Sequence, residues 1–169
     1  MTQDHYKLLY RLDGAERFLL WFTNERDGVV TDDAGFVPSF ATEAALLAFA
    51  KSERIQVSEE SPTLHNLDLV RDWLADPGQE AFDCVAVLNA WNLFGDVARS
   101  APASAAPFSE ADAKLRAVYD KVFFGNNLPA VTPEEEAYHP VWSSAEIVGL
   151  AALLSRGLEL FRRATGDAV

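Results

Sequence analysis

The sequence predicts an α+β fold in a single domain, residues 1–169, and three observations carry the prediction. Over residues 1–40 apolar side chains alternate with polar ones and are interrupted by Asp-Gly turns, which is the period-2 signature of half-buried strands. From residue 41 the spacing changes to the helical 3.6. One segment, 82–100 (FDCVAVLNAWNLFGDVARS), is apolar nearly all round, as a helix packed on several sides must be. The expected architecture is an N-terminal antiparallel meander of three to four strands, followed by about five helices arranged around that central one.

Tyr6, Leu8, Tyr10 and Leu12 alternate with Lys7 and Arg11 to give the first strand. Asp13-Gly14 supplies a hairpin turn, because both residues tolerate positive φ. Residues 17–23 (RFLLWFT) return as an aromatic-rich second strand. Asp27-Gly28 turns into Val29-Val30-Thr31, and Asp32 to Gly35 turns again into Phe36-Val37, which Pro38 confines to an edge or a strand end. Thr42 caps a helix over 43–53 with Ala45, Leu46, Phe49 and Ala50 on one side, and this helix covers one face of the sheet. Residues 55–65 read as a polar loop. Asn66 is positioned to cap a helix over 67–75, whose Leu67, Val70 and Leu74 form the apolar stripe and which Asp76-Pro77-Gly78 stops.

Residues 101–108 form a small-residue linker. Ser109 and Asp112 open the next helix, with Leu115, Val118, Tyr119, Val122 and Phe123 at helical spacing. Gly125-Asn126-Asn127 ends it and Pro129 prevents its continuation. Ser143-x-x-Glu146 is a capping box for a last helix, whose face is Ile147, Leu150, Leu154, Leu158 and Phe161.

The composition, 49% hydrophobic and 24% charged, is ordinary for a globular domain with a real core. The one cysteine, Cys84, precludes an intrachain disulfide and suits a reducing compartment. The N-terminal residues lack the basic and apolar regions of a signal peptide, and no apolar run approaches the roughly 18–20 residues that span a bilayer. A soluble, cytoplasmic protein is expected. The net charge of −12 argues against nucleic acid and anionic membrane as partners, since affinity for phosphates comes from Lys and Arg. It favours encounter with basic proteins, although acidity also serves solubility alone.

Motifs for catalysis fail individually. His5, His65 and His139 are the only histidines, none beside a recognisable nucleophile, and G-x-S-x-G and the phosphate-loop and dinucleotide glycine patterns are absent. Glu136-Ala-Tyr-His139 has the spacing of a di-iron ligand pair, but a second pair is missing and Pro133 and Pro140 make the segment a poor helix. No catalytic residue, metal or cofactor is expected.

Two constellations remain. Asn89, Asn92 and Asp96 fall on one helix face, a polar stripe on an apolar cylinder. They either line a pocket, as in a small-molecule-binding protein or an enzyme, or satisfy backbone groups of a neighbouring loop such as 125–127. Asp68, Asp72 and Asp76, at i, i+4 and i+8, form a carboxylate ridge on the helix over 67–75. Like charges repel at that spacing, and Asp76 sits at the unfavourable end of the helix dipole. From Ile55 through Ala98 the acids also include Glu59, Glu60, Glu80 and Asp83, against Arg71 as the only Lys or Arg. Such asymmetry marks either a face for a cationic partner or a solvated surface. Glu134-Glu135-Glu136 is a second acidic cluster, in a Pro-flanked loop.

The segments LNAWNLFGDVARS (88–100), VYDKVFFGNNLPAVTP (118–133) and PVWSSAEIVGLAALLSRGLELF (140–161) resemble a set of bacterial proteins and look like immunity proteins of contact-dependent growth inhibition and related toxin systems. The resemblance covers the C-terminal half, and its motifs are structural, so it carries over no functional residue. It implies a cytoplasmic protein, monomeric or weakly self-associating, that binds and blocks a toxin domain, commonly a nuclease. The basic cleft of a nuclease would suit Glu59, Glu60, Asp68, Asp72, Asp76 and Glu80.

Overall fold

A computed structural model describes residues 3–78, 82–101, 108, 112–133 and 136–166. Its strands are β1 (Asp4–Leu12), β2 (Ala15–Thr23), β3 (Gly28–Val29) and β4 (Leu64–Asn66). Its helices are α1 (Glu43–Ser52), α2 (Leu67–Ala75), α3 (Cys84–Ser100), α4 (Arg116–Gly125) and α5 (Ser144–Thr165). The fold is α+β.

The hairpin follows from its turn. Asp13 and Gly14 both have positive φ, 54° and 76°, the left-handed pair that matches the twist of two antiparallel strands. With that register Leu8 faces Leu19 and Tyr6 faces Trp21. The sheet order is β3-β2-β1-β4. It departs from a meander at its last strand, because β4 runs parallel to β1, with Leu9 to Arg11 opposite Leu64 to Asn66. Part of the expected polar loop 55–65 therefore belongs to the sheet. Val57 already forms a parallel bridge to His5, so the chain leaving α1 runs along the free edge of β1 before pairing with it. Phe36-Val37 is not a strand: the Val37 amide donates to the carbonyl of Ala164 at the end of α5 (2.8 Å). Phe40 instead bridges Phe18.

Each face of the sheet has its own cover. On one side Leu20, with Phe18, packs against Leu46, Ala50 and Phe49 of α1. On the other, Leu8, Tyr10, Leu12 and Leu19 join the main core built from α2, α3, α4 and α5. Alternation along β1 and β2 thus sorts side chains between two layers of helix. Helix α3 is the hub, packed against α5, α4, α2, β3 and β4. Gly157 of α5 is what lets the two longest helices meet: a Cβ there would lie 2.1 Å from Cδ2 of Phe94, which is fully buried. The aromatic contact continues from Phe94 to Phe161 and from Phe161 to Tyr10 of the sheet, whose rings stand edge to face at 4.8 Å.

Capping accounts for most helix starts. The Thr42 hydroxyl accepts from the Ala45 amide, and Ser143 and Glu146 complete the reciprocal capping box. Helix α3 begins at Cys84, not at 82, because the Asp83 carboxylate accepts from the Ala86 amide. Asn66 does not cap α2; its Oδ1 is buried without a hydrogen-bond partner among the described residues. Ser109 lies outside the described residues. Residues 112–114 make a helical turn that breaks at Leu115 before α4 begins.

Candidate functional site

The polar stripe on α3 opens onto a groove of about 1020 Å³. Its walls come from four places. Tyr6 and Trp21 come from β1 and β2, Glu60 to Thr63 and His65 from β4 and the approach to it, Asn89, Asn92, Asp96 and Arg99 from α3, and Asp112, Arg116 and Tyr119 from the α4 region.

Asp96 anchors the wall. It is 7% exposed, accepts from the Trp21 indole Nε1 (2.7 Å) and pairs with Arg99 one turn on. Burial pushes its carboxyl pKa up; the Trp21 hydrogen bond and Arg99 oppose that, and nearby Asp27 adds to it. Arg99 also donates to the Asp27 carbonyl (3.2 Å), tying the β2–β3 turn to α3. Asn92 is exposed and accepts from the Tyr119 hydroxyl (3.0 Å). Asn89 is half-buried and makes no side-chain hydrogen bond among the described residues. The neighbouring Trp91, on the core side of the same helix, donates Nε1 to Asp112 (2.6 Å). Burial lowers the pKa of His65, against the opposing effect of the Thr63 carbonyl 3.2 Å from its Nδ1.

The stripe therefore does not serve the 125–127 turn. That turn has its own partners: Asn126 Nδ2 donates to the carbonyls of Val122 (2.8 Å) and Cys84 (3.2 Å). Asn127 donates to the Tyr138 carbonyl (2.9 Å) and accepts from its amide (2.6 Å).

The acidic ridge on α2 is divided. The Asp68 carboxylate is an internal staple, accepting from the amides of Asp13 (2.6 Å) and Gly14 (2.9 Å) and pairing with Arg71 (2.8 Å). It holds the β1–β2 turn against the helix and is not free for a partner. Arg71 also reaches Asp13 (2.9 Å) and Asp72 (2.8 Å). Arg162 of α5 closes the knot on Asp13, whose pKa falls to about 2 under the hydrogen bond from Arg162, against a small burial penalty and with help from Arg71. Asp72 and Asp76 remain exposed, as does Glu59, while Glu60 stands at the lip of the groove. Glu80 lies outside the described residues.

Sequence reasoning missed a third feature, an exposed apolar patch around the end of α4. Phe124 (55% exposed), Val131 (63%) and Tyr138 line one depression of about 360 Å³. Tyr138 and Val85 line a second, of about 460 Å³. Leu128 and Val141 (75% exposed) are tied to the same region through their backbone, the Leu128 carbonyl accepting from the Val131 amide and the Val141 carbonyl from the Lys121 ammonium. Asp83, Asp120 and Glu136 rim the depressions. Lys121 is neutralised by Glu146 (2.7 Å). The available signal was a set of large apolar residues in a Pro- and Asn-rich segment without periodicity. Glu134 and Glu135 lie outside the described residues.

Among the described residues no group of His, Cys, Asp and Glu is placed to hold a metal ion, and no helix is long and apolar enough to cross a membrane. No family model matches the chain, and neither a curated protein nor a solved structure resembles it significantly.

Proposed function

We propose that this chain is a cytoplasmic inhibitor of the immunity type, which binds a basic toxin domain, with a nuclease as the best-fitting class, and blocks it by occupancy. The observation that carries the reading is the carboxylate-rimmed apolar patch of Phe124, Leu128, Val131, Tyr138 and Val141 on a chain of net charge −12. Contiguous exposed apolar surface marks interaction sites. Acidic residues around it steer a basic partner and fix its register. Asn127, bonded twice to the Tyr138 backbone, holds the patch in shape before any partner arrives, which reduces the ordering cost of binding. Residues 118–133 and 140–161, two of the segments for which the sequence raises the immunity-protein expectation, contribute residues to the patch.

The test is co-expression with a toxin domain encoded beside this chain, followed by binding kinetics on the purified pair. Growth protection, with a complex whose association slows as salt is raised, is the expected result. Val131→Asp should accelerate dissociation, and Asp120→Lys with Glu136→Lys should slow association. If reversal at Asp72 and Asp76 slows association and reversal at Asp120 and Glu136 does not, the interface lies on α2. A toxin that neither binds nor is restrained refutes the proposal.

A further inference from the structure

The groove beside α3 has a chemistry of its own. Its walls carry four carboxylates, Asp27, Glu60, Asp96 and Asp112. Only Asp96 has a basic partner among the described residues. Of the other cations at the groove, Lys7 pairs with Glu43 on the far face of the sheet (2.8 Å), and Arg116 pairs with Asp120 (3.5 Å) from its place at the groove's edge. Asp27, Glu60 and Asp112, all exposed, therefore leave an excess of negative charge along a concave surface, which focuses it more than a flat one does.

Aromatic rings line the same space. Tyr6 and Trp21 stand together at 5.6 Å on the sheet wall, and Tyr119 lines the groove from α4. Aromatic faces attract planar cations, and the protein supplies its own example, with the Arg116 guanidinium 5.2 Å from the centre of the Tyr119 ring. Between the walls the half-buried Asn89 amide makes no side-chain hydrogen bond among the described residues, which leaves a carbonyl oxygen to accept from a donor-rich guest.

We infer that this groove binds a guanidinium group, presented as an arginine side chain of a bound polypeptide. Carboxylates at the lip and floor accept its N–H donors, the rings cover its faces, and the Asn89 amide completes the fork. The inference rests on the inhibitor reading for its source of arginine. Geometry links the two surfaces: Arg116, Asp120 and Phe124 lie along the exposed side of α4, with the groove on one flank and the apolar depression on the other. A polypeptide straddling α4 reaches both.

The test uses the whole chain and free probes, so that it fails separately from toxin binding. N-acetyl-arginine methylamide is titrated while the Trp21 indole N–H and the Asn89 and Asn92 amide resonances are followed by NMR. The citrulline analogue, isosteric and uncharged, is the control. Saturable shifts with the arginine probe are expected, with affinity about tenfold above the citrulline probe, the discrimination of one charge-assisted hydrogen bond. Asp27→Asn with Glu60→Gln, both exposed positions, should remove most of that difference, and Val131→Asp in the apolar patch should leave it intact. Equal binding of the two probes, or no saturable shift, overturns the inference.

Discussion

Replacing Asp68 by alanine separates two meanings of the acidic helix. The carboxylate accepts from two hairpin amides and from Arg71, and its side chain is only 14% exposed. Hydrogen bonds to charged groups contribute about 1.5–3 kcal/mol each when buried. Here the amides belong to an exposed turn, and water can replace the lost acceptor. Alanine at comparable helix caps costs about 0.5–2 kcal/mol, and the loss of a negative charge in the first turn of α2 adds about 0.3–1 kcal/mol. The sum is about 2 kcal/mol. With a urea m-value of about 2 kcal/mol/M, the unfolding midpoint should fall by about 1 M. Asp68→Asn, which keeps one acceptor, should lose about half as much. Asp72→Ala is the control: that side chain is 65% exposed and paired only with its neighbour Arg71, so its loss should be within about 0.5 kcal/mol. Equal midpoints for the three variants, or a binding defect in Asp68→Ala after correction for the folded fraction, would refute the staple.

Three further outcomes follow from the core and the charged knots. Gly157→Ala drives a methyl group into the buried Phe94 ring and should cost about 1–3 kcal/mol by overpacking, which exceeds the gain in helix propensity of about 1 kcal/mol; thermal unfolding reads this, and Phe94→Leu in the same chain should recover part of it. Asp13 has its pKa depressed from 3.8 to about 2, so its contribution is complete at neutral pH and is lost as pH falls between about 4 and 2. Asp13→Asn should flatten that limb of the stability curve, less than the full shift implies because the group is half exposed. Asp96 has the opposite sign: burial raises its folded pKa, so stability falls as pH rises from its unfolded value to its folded one. Asp96→Asn, which still offers Trp21 an acceptor, should remove that slope, while Asp96→Leu should be about 1 kcal/mol less stable than Asp96→Asn in urea.

Local chemistry made much of the fold legible. Asp13-Gly14 specifies its own turn, Asp76-Pro77-Gly78 ends α2 at the expected residue, and Ser143 with Glu146 fixes the start of α5. Strand β4 was not legible, because Leu64-His65-Asn66 is too short to alternate and its parallel pairing with β1 depends on residues 55 positions away. The site divides in the same manner. Helical spacing places Asn89, Asn92 and Asp96 on one face, yet the facing wall arrives from β2 and the α4 region, and no periodicity within α3 encodes it. Spacing likewise aligns Asp68 with Asp72, but cannot show a hairpin turn 54 residues earlier in the chain resting on the first of them.

That division redistributes the charge argument. The acids most regular in sequence, on α2, are partly consumed by Arg71 and by the hairpin, and so contribute to the fold. The acids with no pattern, Asp27, Glu60, Asp83, Asp112 and Glu136, line concave surfaces beside aromatic and aliphatic side chains. Charge alone gives a fast, salt-sensitive encounter, and apolar area alone gives persistence without register. Helix α4 lies where the two meet, carrying Arg116 and Tyr119 toward the groove and Phe124 toward the apolar depression. Under the proposed function, a partner held across α4 would be oriented by the carboxylates on one flank and retained by the apolar residues on the other.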